Sequence, residues 1–375
     1  VWINHLMARR LLYLNGLAII GAVLNHTAGW GYVAMFFWVH RYLNVTAPDF
    51  SQLGSASYYA LRLIEQIIIP SIPAFLFVSG FFVAFSTRKS QPTVEWKFIG
   101  VRIRYLAIPY LLWSVIMLIW QAIDGQVHAP LDYLRMLLLG ETTAAFYFVP
   151  LIIQLYLLAP LLVPQARQNA RWLLAAAAVL QVAAHIIRYF QILRLPLLAS
   201  DLMTVFAAGW FFPGNLFWFV FGMVFGFHQP AFKAFLSRYR WHFLASAALL
   251  FAAGMVEWEM LLQGSGEAWI TPKETLVDNF YSLAFLLVFL AFEQATTPVT
   301  RMLEELGSRS FGIYLVHSLV LQFVARAVYH LAPWMLGMQF LFQPLLFASG
   351  VGVPLLLMEL VKRTPARKYY SYQFG

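Results

Sequence analysis

Ten stretches of this chain are apolar for long enough to cross a membrane, and that repeated length limits what the chain can fold into more than any motif does. A bilayer core of about 30 Å and a helical rise of about 1.5 Å per residue make one crossing about 20 residues long. Segments 11–38, 63–86, 101–122, 144–163, 171–190, 211–228, 242–262, 276–294, 310–330 and 338–361 qualify. Inside hydrocarbon every backbone N–H and C=O must be paired within the protein, and runs of this length achieve that as helices. The expected fold is therefore all-α: a polytopic membrane helical bundle of ten crossings, forming a single integral membrane domain over residues 1–375. Charged residues are 11% of the chain, against about 25% in soluble domains, which excludes an ordinary soluble enzyme.

The net charge of +9 comes from short basic clusters between apolar runs, so no basic domain exists to bind nucleic acid. The clusters read as topology signals. Placing the N-terminus in the cytoplasm puts Arg9, Arg10, Arg88, Lys89, Lys97, Arg102, Arg104, Arg167, Arg171, Arg309 and the 362–368 cluster on the inner side. Cytoplasmic loops favour Lys and Arg, so both termini are expected to be cytoplasmic. The first run is too long for a cleaved signal core and is expected to remain as a membrane helix. The outer connections 39–62 and 191–210 are expected to form lids or short interfacial helices. There are no cysteines, which removes disulfides, thiolate metal sites and a cysteine nucleophile. The nine histidines are scattered without metal-ligand spacing, so no metal is expected. Prolines at 70, 73, 109, 150, 160 and 354 fall inside the spans and free backbone carbonyls, favouring an irregular bundle with an internal cavity.

His26 lies in the middle of the first run. An ionised group there costs several kcal/mol, so the side chain is expected to face the protein interior or a wet cavity. Fifteen residues from Leu11 place it about 22 Å from the inner end, in the outer half of the membrane. Two readings stand: an imidazole hydrogen-bonded between helices, or a functional base. Ser310, Tyr314 and His317 follow i, i+4, i+7 spacing and share one polar face of the ninth span, which should point inward. Tyr147, Gln154 and Tyr156 add polar atoms to the fourth. For each of these residues, interhelical hydrogen bonding is the alternative to a pocket role. His185, Arg188 and Arg326 read as interfacial or snorkelling groups.

Five ordered segments resemble the acyltransferase 3 family of multipass membrane O-acyltransferases. They are Leu24-Asn25-His26; Phe75-Leu76-Phe77-Val78-Ser79-Gly80-Phe81-Phe82; Arg102-Ile103-Arg104 running to Pro109-Tyr110; Phe146-Tyr147-Phe148-Val149-Pro150 through Gln154 and Tyr156; and Leu306-Gly307 with Ser310-Phe311-Gly312-Ile313-Tyr314-Leu315-Val316-His317. The resemblance implies a catalytic His26, partnered in the family by an arginine eleven positions earlier. Here that position is Asn15, which hydrogen-bonds but carries no fixed charge. Arg9 and Arg10 are the nearest cations able to compensate, and Glu65 and Asp278 are candidate orienters of the imidazole.

The resemblance also implies acyl-CoA as donor, with Arg102 and Arg104 available to its phosphates. Topology and lipid headgroup contact are the alternative role for both arginines. Tyr147, Gln154, Tyr156, Ser310, Tyr314 and His317 are the expected substrate-pocket residues. The expected acceptor is a hydroxyl of an extracytoplasmic glycan or lipid-linked saccharide, and the expected location is the bacterial plasma membrane, among its lipids. A second function class is a catalytically degenerate subunit with a structural or lipid-binding role in a larger membrane protein complex, a reading that Asn15 favours. A transporter would call for charged or discontinuous helices in inverted repeats, and no repeat is visible.

Overall fold

The computed structural model describes residues 2–87, 91–270, 274–292 and 297–375, so Arg88 and Lys89 lie outside the described residues. All regular structure among the described residues is helical. The long elements are α1 (Trp2–Tyr32), α2 (Ala56–Ile68), α3 (Ser71–Ser86), α4 (Trp96–Ile123), α5 (Pro130–Leu139), α6 (Phe148–Gln168), α7 (Ala170–Ile192), α8 (Ser200–Phe206) and α9 (Leu216–Ser265). They are followed by α10 (Leu276–Ala291), α11 (Pro298–Ser308), α12 (Ser310–Leu331), α13 (Gln339–Lys362) and the short α14 (Tyr370–Phe374). The structure is an all-α polytopic bundle, in agreement with the sequence reading.

Eight stretches are long and apolar enough to cross a membrane, the longest being Phe212–Ser265 with 54 residues. The sequence divides that stretch into two spans, 211–228 and 242–262. Instead the helix continues and folds at His228, the one interior residue with non-helical backbone (φ −119°, ψ 25°). Pro230 supplies the cause, since its missing N–H and its ring disrupt the preceding turn. The two arms of α9 overlap two of the ten expected spans, and a third, 276–294, is met by the shorter apolar α10 of 16 residues. Of the two outer connections expected to carry short helices, 191–210 holds α8.

Breaks elsewhere are repaired by side chains. Pro164 cannot donate to the carbonyl of Pro160 one turn back, and the Thr93 hydroxyl donates to it instead at 2.6 Å. Pro70 separates α2 from α3. α1 ends in a π-helical turn, Val33–Phe37, closed by the Trp38 N–H donating to the Val33 carbonyl. That wide turn delivers Trp38 to Trp30 and Tyr329, at ring separations of 5.2 and 4.9 Å.

α1 runs through the middle of the bundle, touching α2, α3, α11, α12 and α13. Close approach depends on glycine, because membrane helices associate through van der Waals fit without a hydrophobic drive between them. A Cβ on Gly16 would lie 2.0 Å from the Leu303 carbonyl oxygen, and one on Gly307 only 1.8 Å from that of Leu12. Gly80 and Gly222 make the same kind of reciprocal contact between α3 and α9. At the basic end, Arg9 pairs with Glu304, Arg167 donates to the Gln91 carbonyl, and Phe374 of α14 is buried beside α4 and α12. At the opposite end Arg326 pairs with Asp124, joining α12 to α4 as an ion pair where snorkelling was expected.

Candidate functional site

Asn15 and His26 are eleven residues apart on α1, about three turns, so both face the same side of the helix and are separated by about 16 Å along it. On the neighbouring α12, Ser310, Tyr314 and His317 form the inward face that their spacing predicts, and Tyr314 and His317 are buried. Between these helices and α3, α4 and α6 lies a cavity of about 250 Å³. Asn15, Ser79, Arg102, Tyr156, Ser310 and Tyr314 give it polar atoms, and Phe75, Phe82, Leu106, Phe148 and Phe311 an apolar wall. The combination suits a ligand with one polar and one apolar part.

Two contacts connect the cavity to His26. The Tyr314 ring on the cavity wall is 6.0 Å from that of His317, and His317 is 5.1 Å from that of His26. His26 is half-buried, and among the described residues no protein group hydrogen-bonds to its ring. The Tyr314 hydroxyl is spent on the Ala145 carbonyl, which fixes the ring between Phe146, Phe148 and Phe311. Asn15 has the opposite property: its amide oxygen is buried in the cavity wall with no hydrogen-bond partner among the described residues. Unpaired buried acceptors are uncommon and call for a donor from a ligand or water.

Several expected site residues are placed elsewhere. Arg102 and Arg104 do not act together: residues two apart on a helix point about 200° apart, so Arg102 reaches the cavity while Arg104 donates to the Tyr372 hydroxyl at 2.8 Å and covers its ring. Gln154 leaves the pocket wall to donate to the Trp210 carbonyl at 2.7 Å, tying α6 to the segment after α8. Tyr147 turns toward Glu274. Its phenol hydroxyl donates to that carboxylate. Arg9 pairs with Glu304, and Arg10 donates to the Phe289 and Phe292 carbonyls at the end of α10, so neither is aimed at Asn15. Glu65 accepts from Tyr32 and Trp269, while Asp278 caps α10 and accepts from Gln66. The group facing His26 is His317.

Sequence reasoning missed a second polar centre. His185 and Arg188, read as interfacial, are buried on α7: Arg188 pairs with Glu274 and donates to the Ala207 carbonyl. Burial works to raise the Glu274 carboxyl, but the Arg188 charge and hydrogen bond outweigh it and hold the group below its usual range. His185, Glu274, Asp278 and Asn279 surround a cavity of about 20 Å³, room for one water. Gln181 donates to Asn279 and accepts from the Phe217 N–H, which links α7, α9 and α10. Only the polar residue types hinted at this cluster, because its partners are far apart in sequence. Among the described residues no three His, Asp or Glu side chains group as metal ligands.

No curated protein sequence and no solved structure matches the chain. The family profile described as an acyltransferase domain, that of the acyltransferase 3 family, matches residues 10–359 and so takes in the α1 pair, the cavity and the α12 face together. With a helical membrane bundle enclosing that constellation, the chain belongs to the acyltransferase 3 family and is a membrane acyltransferase.

Proposed function

We propose that this protein moves an acyl group from acyl-CoA, bound from the basic end, to a hydroxyl of an extracytoplasmic glycan or lipid-linked saccharide, with His26 as general base in a bacterial plasma membrane. The observation that carries the reading is the His26 ring, free of protein hydrogen bonds among the described residues and joined through His317 and Tyr314 to the Asn15 cavity. A base must keep a nitrogen free for the proton it removes, and a neutral imidazole has one. Arg102 at the cavity suits a donor phosphate. The Asn15 amide oxygen suits an N–H of the donor's pantetheine arm, and the phenylalanine wall suits its acyl chain. As the acceptor oxygen bonds to the thioester carbon, its proton passes to His26. The C–S bond then breaks, and that proton returns to the thiolate.

The test is thiol release by the purified protein supplied with a panel of acyl-CoA donors. His26→Ala is expected to lower turnover by ~10²–10⁴-fold while the protein stays folded. A second reading, a degenerate subunit of a larger membrane complex, is favoured by the neutral Asn15 in place of the family's arginine. It predicts that the wild type neither binds nor consumes any acyl-CoA, and that His26→Ala alters stability or assembly instead of turnover.

A further inference from the structure

His317 is completely buried, and its tautomer can be read from its contacts. Nδ1 lies 2.7 Å from the Tyr314 carbonyl oxygen and 3.2 Å from that of Ile313, both on its own helix. A carbonyl oxygen only accepts, so Nδ1 carries the proton and donates. In the neutral ring Nε2 is then a bare acceptor. The Ser318 hydroxyl approaches Nε2 only at 3.4 Å, a long contact for an O–H donor. Across from this face stands the His26 ring, 5.1 Å away and tilted by 45°.

The geometry points to His317 as the positioning residue for His26: the two rings face each other without a hydrogen bond in this structure, and when the acceptor binds, a turn of the His26 ring brings one N–H to Nε2, fixes that tautomer, and leaves the lone pair of the other nitrogen directed at the acceptor hydroxyl. The inference rests on the reading of His26 as the base. In a serine hydrolase a carboxylate fills the orienting position. At this depth an ionised carboxylate costs several kcal/mol, whereas a neutral imidazole locked by helix carbonyls orients its partner without a second buried charge. When His26 takes the acceptor's proton and becomes imidazolium, its N–H toward Nε2 strengthens as a charge-assisted bond. His317 itself gains and loses no proton. Once the C–S bond breaks, His26 hands its proton to the thiolate and the pair is reset.

His317→Gln offers a carbonyl oxygen as acceptor, whereas His317→Phe fills a similar volume with none. In acyl-CoA turnover, His317→Phe is expected to lower kcat by about 10²-fold with KM for the donor unchanged, and His317→Gln to recover about tenfold or more of that loss. A purely structural role would move thermal stability without this split. Wild-type turnover by His317→Phe overturns the inference, as does a folded His317→Gln as slow as His317→Phe. If the wild type consumes no acyl-CoA, the proposed activity fails first, and ¹⁵N shifts of labelled histidine decide this inference independently. A protonated His317 Nδ1 with a bare Nε2 supports it, and a protonated Nε2 overturns it.

Discussion

Replacing Gly307 with alanine tests whether the geometry of the site depends on the close crossing of α1 and α11. The added Cβ would stand 1.8 Å from the Leu12 carbonyl oxygen, 2.8 Å from its carbon and 2.9 Å from the Gly16 nitrogen, all rigid backbone. Ordinary contact begins at 3.4 Å, so the two helices must separate by about 1.6 Å. Gly307 is three residues before Ser310, where α12 starts, and its displacement carries the α12 face away from Asn15 and His26. Overpacking of this kind costs about 1–3 kcal/mol, and a misplacement of about 1 Å costs about 10²-fold in rate. The assays are the thermal midpoint of the detergent-solubilised protein and acyl-transfer turnover, both of which should fall. Gly100→Ala and Gly352→Ala are the controls, since a Cβ at either meets nothing within 4 Å; both should stay within about 0.5 kcal/mol of wild type. A Gly307→Ala protein with the wild-type midpoint and turnover would refute the argument.

Arg102→Ala should raise the donor KM, whereas Arg104→Ala should leave it unchanged and loosen α14, seen as faster proteolysis of the C-terminal segment; equal KM effects would contradict the separation of the two side chains. Glu274→Gln bears on the Arg188 pair. A carboxyl held below its ordinary value stabilises the fold above about pH 4.3 and loses that contribution as pH falls through the folded value. The variant should therefore melt earlier than wild type near neutral pH, with the gap closing in acid; a gap independent of pH would assign the loss to packing. Single cysteines at Arg238 and Lys368 should label with an impermeant reagent from one side of the membrane and those at Asp132 and Glu267 from the other; labelling of 238 and 267 from the same side would overturn the topology. Asn15→Arg should keep or raise turnover if the family's charge still serves this cavity, and a fall in turnover with unchanged stability would show that the neutral amide is required.

The helical character, the spans and the inward face of α12 were legible because they depend on length and periodicity, which a sequence displays directly. His317 was found that way. The arginines were misread where residue type was allowed to outweigh geometry: two positions on one helix separate side chains by more than half a turn, so Arg102 and Arg104 never shared a direction. The stretch between the spans 211–228 and 242–262 is helix because its basic and aromatic residues are compatible with helix, and only the Pro230 disruption was needed to bend it. His185 and Arg188 looked like boundary groups because Glu274, the partner that makes their burial tolerable, is 86 residues beyond Arg188. Pairings at that distance are products of folding and leave no local pattern.

The π turn that closes α1 carries one residue more than an α-helix would need over the same rise. Removing a single residue between Val33 and Phe37 is therefore the length change the backbone absorbs most readily, since the turn can relax to ordinary α geometry. The cost falls on orientation: the outgoing chain would swing by about 100°, taking Trp38 from Tyr329 and Arg41 from the Tyr329 carbonyl that it now grips. Trp30, one turn beyond His26, would lose the neighbour that covers it. A one-residue deletion at this point thus re-aims the segment that follows α1 and, because Ala34, Met35 and Phe36 of the turn are buried, obliges the core around them to repack as well.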